Sequence, residues 1–277
     1  MSYNFSFGQS YKDAFRDDVC VCLKQEKLKL RLTEKTYDKC FKEILPKYAT
    51  KIDGEIKEED VNKKYRLGQK ARTNLMLAYK HELIYTCDVY YNLIEELRTG
   101  KKLIARENAK KSDLKLLNEQ VAMSPNYTSY SRRAQLQFKL GDLEASVNDI
   151  NRGIEVHPYG DNVNYIRNDL LLLAWIYEEQ GRFNDAIKLY DTIYTSIYDT
   201  DVAVLRSIVD KKSGGTLSNI SLSDSKNKTI KISKENSVKT NGKRILKSSR
   251  DKNNRRESDM KKKDDTSSLR KLFKIDQ

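Results

Sequence analysis

Two glycines 40 residues apart, Gly141 and Gly181, sit in matching surroundings, and this internal repeat constrains the chain more than any other feature. Each has a small residue seven positions before it (Ala134, Ala174) and another five positions after it (Ser146, Ala186). Apolar residues recur at helical spacing on both sides, so each unit reads as two helices joined by a tight turn at the glycine. Antiparallel helices approach closely only where their side chains are small. A tight turn favours Gly because it tolerates a positive backbone φ. Proline occurs only at Pro46, Pro125 and Pro158, and no period-two strand pattern interrupts the helical spacing. The spacing predicts an all-α fold in which the prolines end helices.

The first unit runs from Tyr127 through Ala134 and Gly141 to Ile154 and Pro158, and the second from Leu170 through Ala174 and Gly181 to Tyr190. This pattern resembles the tetratricopeptide repeat (TPR) family. The resemblance implies helical hairpins stacked as a short solenoid, with Ala134, Gly141, Ser146 and Pro158 in one repeat and Ala174, Gly181 and Ala186 in the next as structural positions. Tyr198 stands where the second repeat of that family has Pro, and Gln137 where the first has an aromatic residue. The 40-residue spacing exceeds the family period of about 34, which places a short helical extension or a loop at residues 159–164. Two hairpins cannot bury a continuous core, so helices are needed on either side. Residues 90–97 and 111–124 phase as a degenerate earlier repeat, and 198–209 as a closing helix. The run from Leu140 to Ser146, with Asp149 and Pro158 following, is also similar to repeats of ciliary TPR proteins that dock axonemal dynein arms.

Upstream, residues 11–47 and 61–97 read as long helices, with an interruption at Ile52-Asp53-Gly54 and a stop at Gly100. This gives an N-terminal helical region at 1–100 and a repeat domain at 101–210, with the clear repeats at 127–158 and 167–198. Residues 211–277 hold 20 Lys or Arg against 8 Asp or Glu, which accounts for 12 of the formal +13. Rich in Ser, Lys and Asn, with Phe273 as its one aromatic, this stretch predicts a disordered basic tail. Its Lys243-Arg244, Arg255-Arg256 and Lys261–Lys263 clusters read as a tether for a polyanion such as a microtubule surface or nucleic acid, as a nuclear address, or as a solubilising tail. Ser258 follows Arg255-Arg256 as a basic-directed phosphorylation site.

No run of about eighteen apolar residues is present, so no membrane partner is expected. Cys20, Cys22, Cys40 and Cys87 follow no secretory segment and read as reduced thiols of a cytoplasmic protein, with cilium or nucleus as further settings. The two histidines, His81 and His157, have no ligand partners at useful spacing, so no metal site is drawn, and no cofactor or small-molecule substrate is implied. No nucleophile, base and orienting group assemble, so no enzyme is expected. Implied instead is a protein-binding groove along the first helix of each hairpin, with Tyr130, Arg133, Gln137, Arg167, Asn168 and Leu171 as its exposed residues. The expectation is a protein–protein scaffold for assembling a multiprotein complex. The alternative is a nucleic-acid-associated factor whose tail binds RNA or DNA while the repeats recruit a protein.

Overall fold

The structure is a computed structural model that describes residues 10–217. Among the described residues it is all-helical: α1 (Tyr11–Leu28), α2 (Thr36–Gly54), α3 (Val61–Thr86), α4 (Asp88–Glu107), α5 (Asp113–Met123), α6 (Tyr127–Leu140), α7 (Leu143–Val156), α8 (Val163–Glu179), α9 (Phe183–Ser196) and α10 (Thr200–Lys212). The expectations for the tail beyond Leu217, including its disorder, its basic clusters and Ser258, lie outside the described residues.

Helix starts follow local chemistry. Asn126 caps α6 in a reciprocal box, accepting from the Ser129 amide at 3.1 Å while the Ser129 hydroxyl accepts from the Asn126 amide at 3.1 Å. Asp60, Asp142 and Asp199 cap α3, α7 and α10 with their carboxylates. Gly141 and Gly181 take left-handed φ values of +87° and +73° in the turns after α6 and α8, where an L side chain would be strained. Helix α6 packs on α7, α8 on α9, and α9 on α10. Ala134, Ala174, Ser146 and Ala186 are fully buried, and the Ser146 hydroxyl donates to the Ala134 carbonyl across the α6–α7 contact at 2.8 Å. Pro158 follows the end of α7, and residues 159–162 form turns rather than a helical extension.

Three local expectations are corrected. Pro46 lies inside α2 instead of ending a helix. Its cost of about 3 kcal/mol is offset by Phe41, Tyr48 and Ile52, which anchor α2 in the core on both sides of it. Gly100 lies inside α4, which continues to Glu107 because Lys102 and Arg106 tie its last turns to α8. Residues 11–47 and 61–97 are each divided, at Lys29–Lys35 and at Cys87.

The N-terminal helices enclose an aromatic core. Phe15 stacks on Tyr48 at 4.8 Å and meets Tyr79 edge-on at 5.3 Å, while Tyr37 and Tyr90 lie 5.4 Å apart. The buried hydroxyls find backbone acceptors, Tyr79 on the Lys12 carbonyl at 2.7 Å and Tyr37 on that of Met76. The cysteines are not thiols: Cys20 is bonded to Cys87 and Cys22 to Cys40, and all four are buried. Two positions apart on α1, Cys20 and Cys22 lie on different sides of the helix and so reach different neighbours. Helix α1 is thereby fastened to α2 and to the α3–α4 junction.

Helix α10 joins both parts of the fold. Val204 and Ile208 enter the N-terminal core, while Val202, Leu205 and Val209 enter the core of α8 and α9. Tyr85 donates to Asp210 at 2.8 Å, and Lys211 reaches the Ile84 carbonyl at 2.9 Å, fixing α10 to α3.

Candidate functional site

The six residues expected to line a groove do not form one open surface. Leu171 is buried in the α8–α9 core, and Gln137 is buried as well, so neither is exposed as expected. For Leu171 the physical reason is that the middle of α8 is covered on every side, with each residue from Leu170 to Ile176 buried. Arg133 is clasped by Asp149 through two hydrogen bonds of 2.6 Å and also donates to Asn118 at 3.1 Å, so it ties α6 to α7 and α5. Arg167 pairs with Asp199, the residue that also caps α10. Tyr130 is half-buried beneath the Arg133 guanidinium, and Asn168 alone of the six is exposed.

The face formed by the first helices of the hairpins, α6 and α8, is instead met by α4. Glu95, Arg98, Lys102 and Arg106 recur at three- and four-residue steps and so share one side of α4. Arg98 donates to both oxygens of Glu178, at 3.2 and 2.8 Å, and to Glu95 at 2.6 Å. Lys212 of α10 joins the same cluster, reaching Glu178 at 2.7 Å and also pairing with Glu95. Further along, Glu179 receives Lys102 at 3.2 Å and Arg106 at 2.7 Å. The two guanidinium groups lie over rings, Arg98 over Trp175 at 5.2 Å and Arg106 over Phe138 at 5.7 Å.

Burial alone would raise the Glu178 carboxyl. The Arg98 charge and hydrogen bonds, with those of Lys212, outweigh it and hold the group below its ordinary value. Burial lowers Arg98, but the charge and hydrogen bonds of Glu178, with Tyr190 and Glu95, together outweigh it and hold the guanidinium above its ordinary value. A cavity of about 220 Å³ remains in this seam, where Arg98, Lys102 and Lys212 face Glu95, Glu178 and Glu179. Three cations meet three carboxylates, and each is already engaged. With Arg106 also on Glu179, the arrangement joins α4 to the hairpins through charged groups that are all engaged with one another.

Among the described residues, no group of three or more His, Cys, Asp or Glu gathers as a metal site, and no helix is long and apolar enough to cross a membrane. His81 lies in α3, where burial lowers its pKa. Comparison of the chain with protein-family models, with curated proteins and with solved structures finds no match.

The seam escaped the sequence reading because its partners are distant: Arg98 and Glu178 are 80 positions apart. The burial of Leu171 had a visible signal. The unbroken run Leu170-Leu-Leu-Leu-Ala-Trp-Ile176 is apolar around the whole helix, and a helix apolar on all sides is covered on all sides.

Proposed function

We propose that this chain is a non-enzymatic scaffold, built on TPR-like hairpins stacked as a short solenoid, that brings proteins together in a larger assembly. The observation that carries this reading is the repeated hairpin construction: fully buried Ala134 and Ser146 in one pair and Ala174 and Ala186 in the next, with left-handed Gly141 and Gly181 at the turns. Such units expose long side-by-side helices and loop edges on a rigid frame, which suits recognition of other proteins. Because α4 occupies the face of α6 and α8, partners engage the surfaces that remain open rather than a groove through Gln137 and Leu171.

A cilium or axoneme setting rests on the Leu140–Ser146 similarity alone. The paired cysteines favour an oxidising compartment over the cytoplasm, since disulfides persist where thiols are not continually reduced. The second reading, a nucleic-acid-associated factor, is favoured by one observation, the concentration of positive charge in residues 211–277.

Affinity purification with the full chain tests the proposal against Ala134→Glu/Ala174→Glu, which disrupts hairpin packing, and Lys188→Glu, placed on the exposed surface of α9. The scaffold reading expects a defined set of proteins retained by the wild type and Lys188→Glu and lost by the packing variant. Retention by the packing variant after circular dichroism shows its helices melted would sink it. Tight binding of RNA or DNA at physiological salt that disappears on deleting residues 218–277 would move the conclusion to the second reading.

A further inference from the structure

The turns between α7 and α8 carry the residues that lengthen the repeat, and they present a patch of rings. Tyr159 and Tyr165 are 59% and 56% exposed and stack on each other at 5.1 Å with 26° between their planes. His157 adjoins both, at 6.2 and 5.9 Å, and Tyr127 meets His157 edge-on at 4.4 Å. The patch is held from behind. The Tyr159 amide donates to His157 Nδ1 at 2.9 Å, and the Tyr127 hydroxyl donates to the Tyr165 carbonyl at 3.2 Å.

Besides the His157 imidazole, the charged groups nearest these rings are the carboxylates Asp161 and Asp169. A concavity of about 430 Å³ beside Tyr159 is lined by Asp161, Asn162, Asn164 and Ser196 among others, and among the described residues no Lys or Arg lines its wall. Close to Tyr127 lies Asp169, only 1% exposed, which accepts from the Ser131 hydroxyl at 2.7 Å. Among the described residues Asp169 forms no salt bridge. Aromatic faces attract cations, and the exposed Asp161 carboxylate beside Tyr159 strengthens that attraction. The same field repels phosphate. Insertions that lengthen one repeat of a stacked array commonly map to the face that binds.

We infer that the Tyr159–Tyr165 platform is a docking site for a lysine- or arginine-bearing segment of a partner protein. This rests on the scaffold reading and names the chemistry by which one partner would be held. The cationic head lies against the exposed rings beside Asp161, while Asn162 and Asn164 offer hydrogen bonds to the segment's backbone.

The test uses the full chain and fluorescence anisotropy of a labelled Gly-Arg repeat peptide, with a Gly-Glu repeat and oligothymidine as comparators. The wild type binds the Gly-Arg peptide in preference to the Gly-Glu repeat, and any oligothymidine binding supplied by residues 211–277 is unchanged in the platform variants. Tyr159→Ala/Tyr165→Ala weakens binding about tenfold or more, as loss of an aromatic anchor does. Tyr159→Phe/Tyr165→Phe retains binding because the ring faces remain. Asp161→Lys, at an exposed position, also weakens it and decides the matter if the alanine pair misfolds. Unchanged Gly-Arg binding in both Tyr159→Ala/Tyr165→Ala and Asp161→Lys, or a preference for oligothymidine lost in the same variants, overturns the inference. Protein capture that survives Tyr159→Ala/Tyr165→Ala overturns the platform and leaves the scaffold reading standing. Gly-Arg binding at the platform by a chain that captures no protein supports the platform and counts against the scaffold.

Discussion

Arg98 and Glu178 share a two-pronged hydrogen bond in which the side chains are only 12% and 7% exposed. Removing one partner leaves the other charged and buried. Arg98→Met and Glu178→Leu are each expected to lower stability by about 3 kcal/mol, with Lys212 moderating the loss on Glu178, whereas the two together cost less than either single change because no charge is stranded. Urea unfolding of the three variants measures this, and a double variant weaker than both singles would contradict the assignment.

Two buried carboxyls should give opposite pH responses. Glu178 is held below its ordinary value, so its contribution to stability is present above the unfolded-state pKa and fades as pH falls through the lower folded value. Asp169 is pushed up by burial, against the hydrogen bonds of Ser131 and Tyr127, so its contribution is favourable in acid and is lost as pH rises through the raised value. Asp169→Asn should raise the urea midpoint at neutral pH, with the advantage vanishing in acid. Glu178→Gln should lower the midpoint at neutral pH, with the deficit shrinking in acid. A uniform offset at every pH, for either variant, would show that ionisation of that group is not responsible.

The α6–α7 contact leaves no room for a larger side chain at Ala134. Ala134→Leu is expected to cost about 1–3 kcal/mol by overpacking. Gly141→Ala should cost about 1–2 kcal/mol because its φ of +87° is left-handed. Thermal melts of each variant check both values. A neutral Gly141→Ala would mean that the turn after α6 has another conformation.

Protein prepared under oxidising conditions and denatured without reductant should resist alkylation at all four cysteines, with peptide mapping joining Cys20 to Cys87 and Cys22 to Cys40. Losing the first bond, whose cysteines are 67 positions apart, through Cys20→Ala/Cys87→Ala should cost about 2–4 kcal/mol in the oxidised protein. Immediate modification of four thiols would restore the reduced reading.

The all-helical character was legible because apolar positions recur at helical spacing throughout residues 11–210. What the spacing concealed was partnership. Arg133 and Arg167 look like solvent-facing cations in the repeat phase, yet Asp149 and Asp199 hold them. Short-range rules placed Gly100 at a helix end, while tertiary ties from Lys102 and Arg106 carried the helix past it. The cysteine pairing was hidden because sequence gives no distance between α1 and the α3–α4 junction. Near Tyr159 the extra length was visible, but the stacking of its ring on Tyr165 required the turn geometry.

Helix α10 contributes apolar side chains to two cores at once, with Val204 and Ile208 on one side and Leu205 and Val209 on the other. Neither core can open without exposing part of the other. The described helices should therefore denature in one concerted step, and a truncation ending before Thr200 should fail to yield two independently folded halves.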